Sequence, residues 1–112
     1  MPYPRLSEDD QIVVDTARDF ARKRLAPNSL QWDAQKHFPV AEMTEAASLG
    51  MAAIYTREDV GGSGLRRIDG VRVFEELAKG DPVTAAFLSI HNMCTWMVDT
   101  YGDDAQRQSW VP

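Results

Sequence analysis

Residues 81–102 read DPVTAAFLSIHNMCTWMVDTYG, and this stretch predicts the longest helix of the chain. Its first two residues, Asp81 and Pro82, match the usual N-cap and first helical position. One face of the helix is apolar and consists of Phe87, Ile90, Cys94, Met97, Val98 and Tyr101. Leu88 and Trp96 point to other sides, and a helix that is apolar on several sides is usually buried or enclosed by partners. The stretch therefore predicts a helix that packs on more than one side.

Toward the N-terminus, capping residues and helix breakers define two further helices. Ser7 and Asp10 have the spacing of a capping box, which predicts a helix from about residue 8 that Pro27 ends. A polar connection follows. Pro39 then takes the first position of a second helix, which Gly50 ends as a left-handed cap.

Between Gly50 and the long helix, the sequence predicts an irregular segment and one more helix. Residues 51–65 combine a short apolar run with a cluster of glycines, which predicts an extended segment and a tight turn. The helix begins near Arg67 and ends at Gly80. Its apolar side is predicted to contain Ile68, Val71, Phe74, Leu77 and Ala78.

The C-terminal end completes the predicted fold. Gly102 closes the long helix, and a last short helix covers residues 104–110 before Pro112. No run of alternating apolar and polar residues is long enough to predict a strand. The fold class predicted is therefore all-α, a bundle of about five helices that forms one domain over residues 1–112.

Composition limits the partners and the compartment. The chain has 17 acidic residues against 12 Lys and Arg, a net charge of -5, and no basic cluster to neutralise a nucleic-acid backbone. No apolar stretch approaches the roughly 20 residues that cross a bilayer. Residues 1–5 contain no leader sequence, which predicts a bacterial cytoplasmic protein, or a mitochondrial-matrix protein if a eukaryotic precursor is trimmed.

No set of residues has the pattern of a complete reactive site. The glycines at 61–64 could approach a phosphate, but neither a P-loop nor a dinucleotide motif surrounds them, so a plain turn is predicted. His91 and Cys94 are one helical turn apart, but two ligands are too few for a structural metal site, which needs about four. We predict instead that His91 and Asn92 are packed or hydrogen-bonded and that Cys94 is a small buried side chain.

The remaining polar residues predict no catalysis either. The adjacent acids Glu75-Glu76 and Asp103-Asp104 point to different sides of a helix, as solvated surface residues do. Three hydroxyl groups, those of Ser63, Ser89 and Thr95, have no base and orienting acid at motif spacing, so nucleophilic catalysis is not predicted. The sequence therefore predicts no catalytic residue, no cofactor-binding residue and no metal ligand.

Four stretches, taken in order, resemble the N-terminal α-helical domain of the acyl-CoA dehydrogenases. They are LSEDDQIVVDTARDFARKRLAP from residue 6, FPVAEMTEAASLGMAAIYTREDVGGSGL from residue 38, RVFEELAKGDPVTAAFLSIHNM from residue 72 and YGDDAQRQSWVP from residue 101. The similarity spans nearly the whole chain and is most specific in residues 49–64 and 101–112. SIHNMC, residues 89–94, is most similar to the isobutyryl-CoA, short branched-chain branch of the family.

This resemblance implies an enzyme of three parts: the helical domain, a middle β-domain and a C-terminal helical domain, assembled as a tetramer with FAD at the domain junction. The implied reaction is α,β-dehydrogenation of an acyl-CoA. Its catalytic Glu and most of its flavin contacts belong to the two further domains, which are expected to be absent from these 112 residues. By itself the chain is then inactive, and with its helix faces uncovered we expect it to oligomerise or to be only marginally stable.

The resemblance also assigns part of a substrate site. Ungapped matching places four residues at positions that resemble those lining the acyl-chain cavity: Ala86, Ser89, Ile90 and Met93. Their spacing puts them on one side of the long helix. Ile90 and Met93 are bulky enough to shorten such a cavity, which implies a short or branched acyl group.

Three alternatives stay open on the sequence alone. Ile90 and Met93 can be ordinary interdomain packing, since apolar helical stripes often are. The chain can be a free-standing helical module that binds a protein or a lipid. It can also be a complete subunit that pairs with a separate flavin-bearing chain.

Overall fold

A computed structural model describes residues 5–111, which form six α-helices and, within that range, no strand. The helices are α1 (Glu8–Phe20), α2 (Ser29–Gln35), α3 (Val40–Ser48), α4 (Arg67–Gly80), α5 (Pro82–Tyr101) and α6 (Asp104–Trp110). A π-helical turn (Ala21–Leu25) extends α1, and a short 3-10 helix (Glu58–Val60) interrupts the segment between α3 and α4. The all-α prediction is confirmed.

The structure has one helix more than the five predicted. This additional helix is α2, which lies in the region predicted to be a polar connection. None of its residues is buried, so the sequence has no apolar periodicity there for a pattern to detect. Trp32 packs only partly against the core. The helix ends at Gln35, and Lys36 caps it in a left-handed conformation (φ 52°).

Most predicted helix termini are confirmed because they depend on local hydrogen bonds or dihedral angles. Pro39 is an exception: it was predicted as the first helical residue but is the N-cap of α3, which begins at Val40. The Ser7 hydroxyl accepts from the Asp10 N–H at 3.1 Å, and the Asp10 carboxylate accepts from the Ser7 N–H at 3.2 Å. The Asp81 carboxylate accepts from the Thr84 N–H at 3.1 Å, directly before Pro82. Gly50 has a φ of +84°, as a left-handed cap requires. Residues 1–4 and Pro112, whose roles were also predicted, lie outside the described residues.

The segment between α3 and α4 was predicted to contain an extended run, and that prediction is wrong. Residues 49–56 form consecutive turns and bends, the 3-10 helix follows, and residues 62–66 fold back onto residues 53–57. The Ser63 N–H donates to the Ala53 carbonyl at 2.8 Å, and the Leu65 N–H donates to the Ile54 carbonyl at 2.8 Å. The short apolar run is buried in this loop at Met51 and Ile54, which explains its composition without a strand.

A side chain of α5 holds this loop in place. Asn92 is fully buried, and its carboxamide oxygen accepts from the Ile54 N–H at 2.7 Å. Its amide group donates to the carbonyls of Met51 and Leu88, each at 2.8 Å. The prediction that Asn92 is hydrogen-bonded is confirmed, whereas His91 is exposed.

The core lies where α1, α4 and α5 meet, and its face on α4 differs from the predicted one. Leu77 is buried as predicted, but Val71 and Ala78 are exposed and Val73 is buried in their place. Beside Val73 and Leu77, the inward side of α4 carries three buried charged residues: Asp69, Arg72 and Glu76. Because the charges lie inward, apolar spacing alone selects the wrong side of the helix.

Two further predictions about burial are wrong. Glu76, predicted to be solvated, is only 7% exposed and accepts hydrogen bonds from Arg18 at 3.2 Å and from Lys79 at 2.8 Å. Cys94, predicted to be buried, is exposed on α5.

No helix among residues 5–111 combines the length and the apolar character needed to cross a membrane.

We predict that Asn92→Leu lowers the free energy of unfolding by about 3 kcal/mol, because it leaves the buried Ile54 N–H and Met51 carbonyl without partners. Thr56→Val is the matched control: Thr56 is also fully buried, but its hydroxyl has no hydrogen-bond partner among the described residues. Urea denaturation followed by circular dichroism would measure both variants. Equal losses of stability in the two would contradict the assigned role of Asn92.

Candidate functional site

The longest helix, α5, presents two opposite faces. The inward face packs against the chain itself and contains Thr84, Ala85, Leu88, Asn92, Thr95 and Asp99, all buried. Most of these residues are polar. The side chains of Asn92 and Asp99 bond to the loop before α4, the Thr95 hydroxyl donates to a backbone carbonyl of α5, and the Thr84 hydroxyl donates to the Asp81 carboxylate. This face holds α5 in position.

The outward face of α5 is apolar and largely exposed, apart from an edge contact between Phe87 and Phe38 near its N-terminal end. Its exposed members include Val83, Phe87, Ile90, Met93, Met97 and Tyr101, the last of them 76% exposed. Positions 83, 87, 90, 94, 97 and 101 alternate steps of four and three residues, so they form one stripe along the helix. The face predicted from the sequence is confirmed as continuous, and it lies on the outside.

The four residues predicted to line an acyl cavity lie together on one flank of this stripe. Ile90 is 56% exposed, Met93 is 42% exposed, Ala86 is also exposed, and Ser89 is half-buried. The Ser89 hydroxyl donates to the Ala86 carbonyl at 2.7 Å, so it forms a bond within its own helix. Together the four side chains form an open wall on the surface of α5.

A groove that sequence reasoning missed adjoins the N-terminal end of the stripe. It encloses about 360 Å³ between α2, α3 and α5. Phe38 and Phe87 meet edge to face at 4.8 Å on its wall, and the Asp81 carboxylate, which accepts from the Ser29 hydroxyl at 2.9 Å, also lines it. No sequence motif marks this groove, because its walls come from three separate stretches of the chain.

A buried carboxylate fixes the C-terminal half of α5. Asp99 accepts from the Arg57 N–H at 3.1 Å and from the Nε atoms of Arg57 and Arg107, each at 3.0 Å. The Arg57 guanidinium also donates to the Asp99 carbonyl. Arg107 in turn binds both oxygens of Asp59, at 2.8 and 2.9 Å. The network ties the loop before α4 and the helix α6 to one point of α5.

These contacts determine the acidity of Asp99. Burial by itself raises the pKa of this carboxyl group, because it disfavours the charged form. The hydrogen bonds from the Arg57 N–H and from the guanidinium groups of Arg107 and Arg57 outweigh burial and hold the pKa below its ordinary value. Asp99 is therefore a carboxylate at neutral pH, and folding is coupled to its ionisation.

The glycine turn is a structural turn, as predicted. Each backbone N–H from Gly61 to Gly64 donates to a carbonyl of the same loop, at 2.8–3.0 Å. A Cβ at Gly62 would lie 2.2 Å from the Thr56 carbonyl oxygen, so only glycine fits there. With its N–H groups used in this way, the turn offers no cradle for a phosphate.

The hydroxyl groups considered as nucleophiles also bond to the backbone. Ser63 donates to the Gly50 carbonyl at 3.0 Å, and Thr95 donates to the His91 carbonyl at 2.9 Å. Neither hydroxyl donates to a basic side chain, as an activated nucleophile would. Among residues 5–111, no group of three or more His, Cys, Asp and Glu side chains is placed to hold a metal ion.

In this helical domain, one face of the longest helix packs against the chain and the other face is apolar and exposed. Domains with such an exposed apolar face form a class that packs against further protein. The particular family follows from comparison with known proteins. The chain belongs to the acyl-CoA dehydrogenase N-terminal domain family, which it matches over residues 7–112.

Individual relatives agree with this assignment. The chain is 46% identical over 111 residues to mitochondrial isobutyryl-CoA dehydrogenase of Dictyostelium discoideum. The alignment covers 99% of the chain and 27% of that protein. The chain is 33% identical to the mitochondrial short-chain specific acyl-CoA dehydrogenase of Homo sapiens, over 95% of the chain and 26% of that protein. The solved structure of butyryl-CoA dehydrogenase from Megasphaera elsdenii matches with a TM-score of 0.87 and 30% identity, over 99% of the chain and 30% of that structure's chain. The chain thus spans about a quarter of the length of these relatives.

Acidification should weaken the fold partly through Asp99. Because its folded-state pKa is below the ordinary value, this carboxylate stabilises the fold above the unfolded-state pKa of about 4, and that stability is lost as the pH falls through the folded-state pKa. We predict that Asp99→Asn is less stable than the parent at pH 7 and has a shallower decline of stability below about pH 4. Urea titrations between pH 7 and pH 2.5 would measure this. Parallel pH profiles for the two proteins would contradict it.

The uncovered face should also cause self-association of the 112-residue chain. We predict that Ile90→Glu shifts the chain toward the monomer, because it places a charge in the middle of the stripe. Ile12→Glu is the matched control, since Ile12 is exposed on α1, away from this face. Sedimentation velocity over a range of concentrations would measure the effect. A chain that is monomeric at every concentration, or an equal effect of both substitutions, would contradict it.

Proposed function

We propose that this chain is the N-terminal domain of an FAD-dependent acyl-CoA dehydrogenase that acts on a short or branched acyl-CoA. In this proposal α5 supplies one wall of the acyl pocket. Family membership supports the class of reaction, and the names of the relatives support the size of the acyl group. Residues 1–112 would then form the first of three domains, followed by a middle β-domain and a C-terminal helical domain.

The observation that carries the proposal is the open wall on α5. Ala86, Ile90 and Met93 are exposed on one flank of α5, and Ser89 lies half-buried beside them. A wall with no opposite side is what one part of a pocket shared between domains would present. Ile90 and Met93 are the two largest of the four side chains, so they would limit the length of the acyl chain that fits against α5.

In this proposal the chain contributes to the reaction by shaping the acyl pocket and by excluding water from it. An apolar wall excludes water from the acyl chain and positions it by van der Waals contact. The hydroxyl of Ser89 bonds to its own helix, so it adds little polarity to the wall. Removal of the α-proton and transfer of the β-hydride would be carried out by groups outside residues 1–112.

FAD would likewise be held outside this chain. The glycine turn is the one loop whose composition suits a pyrophosphate, and its N–H groups are all used within the loop. This turn therefore does not fit the pyrophosphate of the cofactor, and we assign no described residue to FAD. We further propose that the whole protein is a homotetramer in the bacterial cytoplasm, or in the mitochondrial matrix if it derives from a trimmed precursor.

A free-standing interaction module is the second candidate, and one observation favours it. The four-and-three spacing of the outward stripe fits a partner helix from any protein, not only from the same polypeptide. Purification of the product of the whole coding sequence separates the two candidates. The acyl-CoA dehydrogenase proposal requires a yellow protein with flavin absorption that oxidises short or branched acyl-CoA. A colourless protein without that activity would overturn it.

In the flavin-loaded protein, we predict that Met93→Ala raises kcat/KM for acyl chains one or two carbons longer than the preferred one by about tenfold relative to the preferred substrate. The truncation removes bulk from the wall. Met97→Ala is the matched control, because Met97 is 46% exposed on the same helix but outside the four-residue wall. Rates measured across a series of acyl-CoA lengths would test this. An unchanged length preference in Met93→Ala, or an equal change in Met97→Ala, would contradict the proposed wall.

A further inference from the structure

We propose that Arg67, held between Tyr55 and Trp96, forms an oxyanion-binding site on the surface of this domain. The guanidinium carbon of Arg67 lies 4.1 Å from the centre of the Tyr55 ring and 4.5 Å from the centre of the Trp96 ring. These distances are well inside the range of cation–π contacts. Residues from the loop, from α4 and from α5 thus meet at one point, which lies one helical turn beyond Met93 on α5.

The two rings are themselves held in position. Both Tyr55 and Trp96 are half-buried. A Cβ at Gly70 would lie 3.3 Å from two atoms of the Tyr55 ring, so the absence of a side chain there lets the ring lie close to α4. Trp96 packs edge to face against Tyr101 at 5.9 Å. The rings therefore restrict the guanidinium before any ligand arrives, which lowers the entropy cost of binding.

Arg67 also lacks an acidic partner among residues 5–111, although the chain is rich in acids. Five other arginines form ion pairs at 3.2 Å or less: Arg18, Arg24, Arg57, Arg66 and Arg107. The nearest acid in sequence, Asp69, is bound by Arg66 at 3.0 Å and lies 3.6 Å from Arg72. The guanidinium of Arg67 is stacked but not hydrogen-bonded to any described residue.

The groups around Arg67 are donors as well. Neither the Tyr55 hydroxyl nor the Trp96 indole N–H has a hydrogen-bond partner in the part of the chain that the structure describes. An arginine fixed by stacking keeps the edge of its planar fork for ligands, and that edge matches the oxygens of a phosphate or a carboxylate. A positive charge that is fixed by stacking and has no acidic partner among residues 5–111 therefore favours an oxyanion. The acyl-pocket proposal is not needed for this inference.

Titration of the 112-residue chain with inorganic phosphate, at constant ionic strength, tests the site. The readouts are the nitrogen-attached proton signals of the Arg67 Nε and the Trp96 indole in two-dimensional NMR spectra. We expect both signals to shift saturably, and Arg67→Gln to weaken the binding by about tenfold or more. Arg22→Gln is the control, because Arg22 is exposed on the π-helical turn and has no aromatic contact. It should leave the binding unchanged.

Two further titrations test the role of the planar guanidinium and the kind of oxyanion that binds. Arg67→Lys keeps the charge but loses the planar fork, so it should bind more weakly than the parent chain. Acetate in place of phosphate distinguishes the source of the oxyanion: tighter phosphate binding indicates a phosphate-bearing small molecule, and equal or tighter acetate binding indicates a carboxylate. Shifts that do not saturate, or that persist unchanged in Arg67→Gln, would overturn the proposal.

Discussion

The carboxamide of Asn92 fastens the irregular segment between α3 and α4 to the longest helix. One fully buried side chain satisfies the Ile54 N–H, the Met51 carbonyl and the Leu88 carbonyl, all of which lie where water does not reach. Asp99, two helical turns further along α5, repeats this arrangement by accepting from the Arg57 N–H. Because both side chains are on the same face, they fix the rotation of α5 about its own axis. The apolar stripe on the other face then has to point away from the chain.

This constraint connects the fold to the proposed role. Burying the stripe inward would bring more apolar surface into the core, but it would leave the backbone groups of the loop unsatisfied and would expose the two polar anchors. Unpaired buried polar groups cost more than a hydrogen bond gains, so the polar face lies inward. The domain thus keeps a wholly apolar helix face outside, where Ala86, Ser89, Ile90 and Met93 can serve as a wall. Family membership and the coverage of about a quarter of each relative agree with a domain that functions against further protein.

Local chemistry made much of the fold predictable from the sequence. Ser7, Asp81 and Gly50 act through hydrogen bonds or dihedral angles within a few residues, and their helix ends occur where expected. Long-range pairing was not predictable: Glu76 is buried because Arg18, 58 positions away, neutralises it. Cys94 was assigned to the core on hydrophobicity, but the polar anchors on the opposite face turn it outward. Helical spacing placed Ala86, Ser89, Ile90 and Met93 on one side of α5, whereas the opposite wall of the pocket that we propose would come from protein beyond residues 5–111.

The alkylation rate of Cys94 tests most directly whether the outward face of α5 is covered in the native protein. This thiol is exposed in the middle of the stripe and is the only cysteine of the chain, so one labelled peptide identifies it by mass spectrometry. The rate with iodoacetamide would be measured in the 112-residue chain and in the folded product of the whole coding sequence, with a urea-unfolded sample of each as reference. Our account predicts rapid labelling in the chain and strong protection in the whole protein. Equal labelling rates in the two folded proteins would contradict it.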